Sequence, residues 1–181
     1  MKQMMTLAAA IGIVSVATVA GAQRLTLIHP GGGGSPHVLT EWRISGANIS
    51  VEYGRPYLKG RVIGDSIVPY GEVWRIGADE STTLISDKDL TFGNLKVPAG
   101  EYTLFILPTA DKWELIINKE MGTWGTDYNS EFDLGRVEMK VEKRDPPLDQ
   151  HTIEIDPAAG GGVLRVEFGS AKATAPFTVQ R

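Results

Sequence analysis

Trp74-Arg75 and Asp79-Glu80 place a flat aromatic, a guanidinium and two carboxylates within seven residues. Such a set can serve as an anion clamp beside an aromatic platform, or supply carboxylates for acid–base work. Hydrolysis of a glycoside needs two carboxyl groups that converge on one bond. Successive side chains on a strand point to opposite faces. If Val73 to Ile76 is a strand, Trp74 and Arg75 therefore diverge, and Asp79 and Glu80 diverge in the same way when extended. A catalytic pair then requires a distant partner such as Glu101 or Asp133. The competing account is structural, with Trp74 filling the core and Arg75 paired to Asp79 or Glu80.

Arg55, Lys59 and Arg61 are spaced along a loop, Gly54 to Gly64, that is punctuated by glycine and proline. The loop can hold an anion, or its cations can pair with surface carboxylates. Trp124-Gly125 adds an aromatic in another loop. The candidate ligand-binding residues are thus Arg55, Trp74, Arg75, Asp79, Glu80 and Trp124. Asp127, Asn129, Glu131 and Asp133 place oxygens at alternate positions, like the first half of a calcium loop, but Phe132 stands where the turn needs glycine. His29, His37 and His151 lie far apart, whereas zinc sites need three or four positioned ligands and usually show close pairs. Neither a metal nor a cofactor is expected. The chain has no His-Glu-x-x-His, no Gly-x-Ser-x-Gly and no Gly-x-Gly-x-x-Gly.

The elements that must position these groups read as strands. Val38 to Ile44 and Ile49 to Tyr53 alternate apolar and polar residues around Ser45-Gly46, a hairpin signal. Glu101 to Leu107 is apolar on both faces, which predicts a central strand, and Trp113 to Ile117 repeats the pattern opposite it. Alternation returns at Val137 to Val141, Ile153 to Ile155, Leu164 to Phe168 and Ala173 to Val179, with Pro176 marking an edge or bulge. Asn118 to Asp133 reads as a long loop. Roughly eight to ten short strands with no amphipathic helix predict an all-β antiparallel sandwich, immunoglobulin-like or jelly-roll-like.

Residues 1–22 carry Lys2, an apolar run from Leu7 to Ala20 and the ending Ala20-Gly21-Ala22, the pattern of a cleaved signal peptide. The run is shorter than the roughly 20 residues that span a bilayer, so no membrane insertion is expected after cleavage. Residues 23–36, with His29-Pro30 and four consecutive glycines, read as a flexible linker, and 37–181 as a single domain. The absence of cysteine excludes disulfides and thiolate chemistry. A net charge of −4 without a charge block argues against nucleic acid as a partner.

Tyr53-Gly-Arg-Pro56, Lys59-Gly-Arg61, Val68-Pro-Tyr-Gly-Glu-Val-Trp-Arg75, Gly77-Ala-Asp-Glu80, Thr82-Thr83, Val97-Pro-Ala-Gly-Glu-Tyr102, Trp113, Asn118-Lys119 and Trp124-Gly125 occur in that order. Together they resemble the bacterial exported family known as domain-of-unknown-function family 2911, from about Ser35 onward and more loosely beyond Pro146. The resemblance implies an exported bacterial single-domain protein and assigns no reaction, ligand or catalytic residue. The expectation is a periplasmic or secreted binding module for an envelope ligand, whether small molecule, glycan or protein. The alternatives are a hydrolase using Arg75 with Asp79 or Glu80, and a structural or assembly protein.

Overall fold

The structure, a computed structural model, describes residues 23–180; the expected signal peptide lies outside the described residues. Alternating sequence becomes antiparallel strand almost throughout. In chain order the strands are β1 (Arg24–His29), β2 (His37–Ile44), β3 (Ala47–Gly54), β4 (Ile63–Gly64), β5 (Ile67–Pro69), β6 (Thr83–Ser86), β7 (Leu90–Phe92), β8 (Leu95–Val97), β9 (Gly100–Pro108), β10 (Trp113–Asn118), β11 (Asp133–Ala158) and β12 (Gly161–Val179). Ten of them form one open sheet in the order β1-β2-β3-β6-β9-β10-β11-β12-β7-β8, and β4 and β5 make a small parallel pair.

The expected β2–β3 hairpin forms across Ser45 and Gly46, both at positive φ (49° and 83°). That is the two-residue turn whose twist suits the flanking strands. β9 is the central strand its two apolar faces predict, hydrogen-bonded to β6 on one side and β10 on the other. β11 pairs with β10 through its first residues and with β12 along the rest, with register shifts between Lys143 and Thr152. The sheet folds over at this long strand, which brings the second half of β11 against β3 and sets β11 and β12 against β2. Buried Tyr53 of β3 shows the closure, its hydroxyl accepting from Ile153 N–H (2.9 Å) and facing Ile153 O (3.3 Å). Trp74 stacks on Phe168 (centroids 6.2 Å apart, 10° between planes) and meets Trp113 and His151 edge-on.

Three expectations change. Residues 23–36 are not a plain linker: Arg24–His29 adds β1 to the edge of β2, and Gly32–Gly34 forms a short 3-10 turn. Backbone pairing suffices for this, since no β1 side chain is buried. Val73 to Ile76 is not a strand, because only Trp74 bridges to Ile106 and Ile76 takes a positive φ of 50°. Pro176 is not at a sheet edge. β12 pairs with β11 up to Thr174 and with β7 from Phe177, so the proline falls where partners change and no ladder donor is needed.

Candidate functional site: a basic crevice beside a histidine pair

The stretch from Val68 to Thr83 is mostly irregular backbone, with positive φ at Val68, Ile76 and Asp79 as well as Gly71. It is held at both ends. Trp74 exchanges backbone hydrogen bonds with Ile106 (2.7 and 2.9 Å), and the Thr82 hydroxyl donates to Ile76 O (3.0 Å). The Gly77 to Glu80 coil lies so close to the end of β3 that a Cβ on Gly54 would sit 2.2 Å from Ala78 O. Trp124-Gly125 closes the other side: Gly125 N–H donates to Asp79 O (3.1 Å), and a Cβ there would come 2.7 Å from Arg75 Cδ.

Freed from strand alternation, Trp74 and Arg75 both line one crevice of about 360 Å³. Its other walls are the 3-10 turn (Gly32, Gly33), the basic loop (Lys59, Arg61), Asp79, and an apolar floor that includes Ile67 and Val68. Among the described residues, Lys59, Arg61 and Arg75 take part in no ion pair. Each is held by carbonyl oxygens: Lys59 Nζ donates to Gly33 O (3.1 Å), Arg61 to Leu58 O and Tyr57 O (3.0 and 2.7 Å), and Arg75 Nη1 to Asp79 O at a long 3.5 Å. Carbonyls orient these donors without cancelling their charge. The one carboxylate lining the crevice, Asp79, accepts from Gly32 N–H (2.8 Å) and so ties the glycine turn down.

Glu80 turns the other way, toward a histidine pair. His29 ends β1 and His37 begins β2, and the two are register partners with rings stacked 4.9 Å apart at 12°. Glu80 reaches both, with Oε1 3.6 Å from His29 Nε2 and Oε2 3.3 Å from His37 Nδ1. His37 is buried, its Nε2 is 3.4 Å from Glu52 Oε1, and its Nδ1 has no hydrogen-bond partner because the Glu80 oxygen lies off the bonding direction. Ligand atoms of His29, His37 and Glu80 all lie within 4.8 Å of one another. Sequence distance hid this grouping. The signal that could have exposed it was a hairpin around His29-Pro30 and the glycine run, which the linker-like composition masked.

The profile of the family described as "Protein of unknown function (DUF2911)" matches residues 35–177. The chain belongs to this family. No curated protein and no solved structure matches the chain. Within the DUF2911 span fall Lys59, Arg61, Trp74, Arg75, Asp79, Glu80 and His37, whereas His29 and the glycine turn precede it.

The remaining candidates lie elsewhere in the DUF2911 domain. Arg55 is spent on the fold: Nε donates to His151 O (3.1 Å) and Nη2 to Thr152 Oγ1 (3.0 Å), joining β3 to β11. The Trp124 backbone bridges to Glu80 while its side chain is exposed. Of the calcium-like set, Asn129 caps the 3-10 turn Ser130–Phe132, and Asp133 accepts from Asn118, Tyr128 and Arg136. The set does not gather as a metal site among the described residues. A larger open groove, about 630 Å³, lies across β2, β3, β6 and β9 and holds none of the six candidates. There Arg24 pairs with Glu41 and Asp87 with Asn48, and the two charges left over, Arg43 and Glu101, are of opposite sign, so the smaller crevice, with three unpaired cations, is chemically the better site.

Proposed function

We propose that this protein is an exported, non-catalytic binding module of the cell envelope whose ligand is a small molecule with an anionic group, held in the crevice beside the glycine turn. The observation that carries this reading is the set of three cations, Lys59, Arg61 and Arg75, lining one cavity without carboxylate partners. Charges of one sign repel, and an oxyanion that accepts from two of them relieves that repulsion with charge-assisted hydrogen bonds. The cavity lies at the small end of the range for ligand pockets, and its apolar floor suits a short carbon skeleton behind the charged head. The signal-like residues 1–22 support export. Asp79 and Glu80 point to different partners, Gly32 and the histidine pair, so the geometry does not favour a carboxylate pair acting on one bond.

Thermal shift with phosphate, sulfate, citrate and short-chain carboxylates provides the test. At least one anion should raise the melting temperature, less so at high salt as the field is screened. Arg75→Ala and Lys59→Ala should abolish that rise while leaving the unliganded protein within about 0.5 kcal/mol of its original stability, since neither side chain is in an ion pair. Absence of any stabilising anion, or a rise that survives both substitutions, would overturn the reading.

A further inference from the structure

We infer that His29, His37 and Glu80 form a binding site for a divalent transition-metal ion of the zinc type, a site that does not depend on the anion reading of the neighbouring crevice. Two imidazoles and a carboxylate are the donor set that zinc and its neighbours take, with a coordination position left for water or another ligand. Metal–nitrogen bonds of about 2.0–2.1 Å place tetrahedral donor atoms about 3.3 Å apart. Glu80 Oε2 stands 3.3 Å from His37 Nδ1 and Oε1 3.6 Å from His29 Nε2, so the carboxylate must turn, and the rings close up, for one oxygen to meet both nitrogens at that spacing.

The unpartnered nitrogen is the second, independent observation. His37 is 1% exposed, and its Nδ1 faces Glu80 without a hydrogen bond. With the ring proton on Nε2, Nδ1 carries a bare lone pair that is not aimed at the Glu80 oxygen 3.3 Å away, and a cation set off the line between the two atoms can accept from both. Glu52 Oε1, 3.4 Å from Nε2 without a hydrogen bond, stands where a small approach would let it hold the Nε2 proton and fix the ring tautomer once a metal takes Nδ1.

His29 sets a condition on binding. Its Nδ1 accepts from Gly31 N–H (3.1 Å), which places the proton of the neutral ring on Nε2, the nitrogen nearest Glu80. To ligate through Nε2 the ring must release that proton to solvent and take one on Nδ1, with no net change in charge. Gly31 N–H must then turn away. Because Gly32 N–H holds Asp79, metal binding is expected to shift the glycine turn that walls the crevice.

The experiment is a zinc titration of the chelator-treated full protein, read by calorimetry and melting temperature, with cobalt absorption to report the coordination geometry. Zinc at a hundredfold excess over its Kd should raise the melting temperature by roughly 5–10 °C. His29→Gln and Glu80→Gln, both at partly exposed positions, should remove the heat and the shift without unfolding the protein. Glu52→Gln should weaken binding by about 10- to 100-fold. Arg75→Ala and Asp127→Asn should leave zinc binding intact, which separates this site from the crevice and from the acidic loop. No heat in the wild type, binding that persists in both ligand variants, or loss in Asp127→Asn instead would overturn the proposal.

Discussion

At the scale of single residues, burial decides which ionisable groups belong to the core. His151 is fully buried beneath Trp74 and Phe168, with Nε2 2.8 Å from Ile76 O and Nδ1 3.3 Å from Glu167 O. Loss of solvation pushes its ring from 6.5 down to about 4, despite the two carbonyls that favour the protonated form. A depressed folded value means that the unfolded chain takes up the proton first. The stability held by the neutral ring is complete above pH 6.5 and is lost as pH falls toward 4, by about 3 kcal/mol. Melting curves between pH 7 and 4 should show this decline. His151→Gln, which keeps a donor for Ile76 O, should lower stability at pH 7 and flatten the slope. An unchanged slope in that variant would assign the acid sensitivity to other groups. The sequence offers His151 no role, because a lone histidine among polar neighbours gives no sign that Ile76, 75 positions away, will cover it.

At the scale of elements, what was legible followed from local rules and what was not required knowledge of partners. Alternation located β2, β3, β9, β10 and the inward faces of β11 and β12, since period two is a property of the segment alone. β7 and β8, three residues each, are too short to alternate visibly and exist because the ends of β12 and of each other present ladder groups. The irregular stretch that builds the crevice is not legible in the sequence for a related reason. Its positive φ values are imposed by close packing against β3 and β9, and Ile76 shows no local preference for them. Gly54 makes that packing possible. Gly54→Ala would bring a methyl to 2.2 Å from Ala78 O, and backbone on both sides leaves little room to yield. The expected outcome is a loss of about 1–3 kcal/mol in denaturant melts, together with weaker anion binding as the Gly77 to Asp79 wall moves outward. A variant with unchanged stability and binding would show that the contact is not what fixes the wall.

At the scale of the whole molecule, a chain of net charge −4 gathers three cations that make no ion pair, Lys59, Arg61 and Arg75, around one crevice, so the local field there opposes the overall one. The glycine turn joins the two candidate sites, with Asp79 tied to it on the crevice side and the histidine pair flanking it on the other. It belongs to the part of the chain that precedes the matched family span, and β1 adds backbone ladder but no buried side chain. Ladder hydrogen bonds contribute about 1 kcal/mol each, and ordering a residue costs about 1–2 kcal/mol, so β1 is close to thermodynamically neutral for the domain. A chain beginning at Ser35 should therefore fold, with a far-ultraviolet spectrum like that of the parent and a stability within about 1 kcal/mol of it. It should also lose zinc binding with His29, and hold anions more weakly with Gly32 and Gly33 gone from the wall. Calorimetry and thermal melts on the two chains separate these effects. If the shortened chain folds and binds both probes as the parent does, the N-terminal hairpin has no part in either site. If it fails to fold, β1 carries far more of the domain's stability than its exposed side chains indicate.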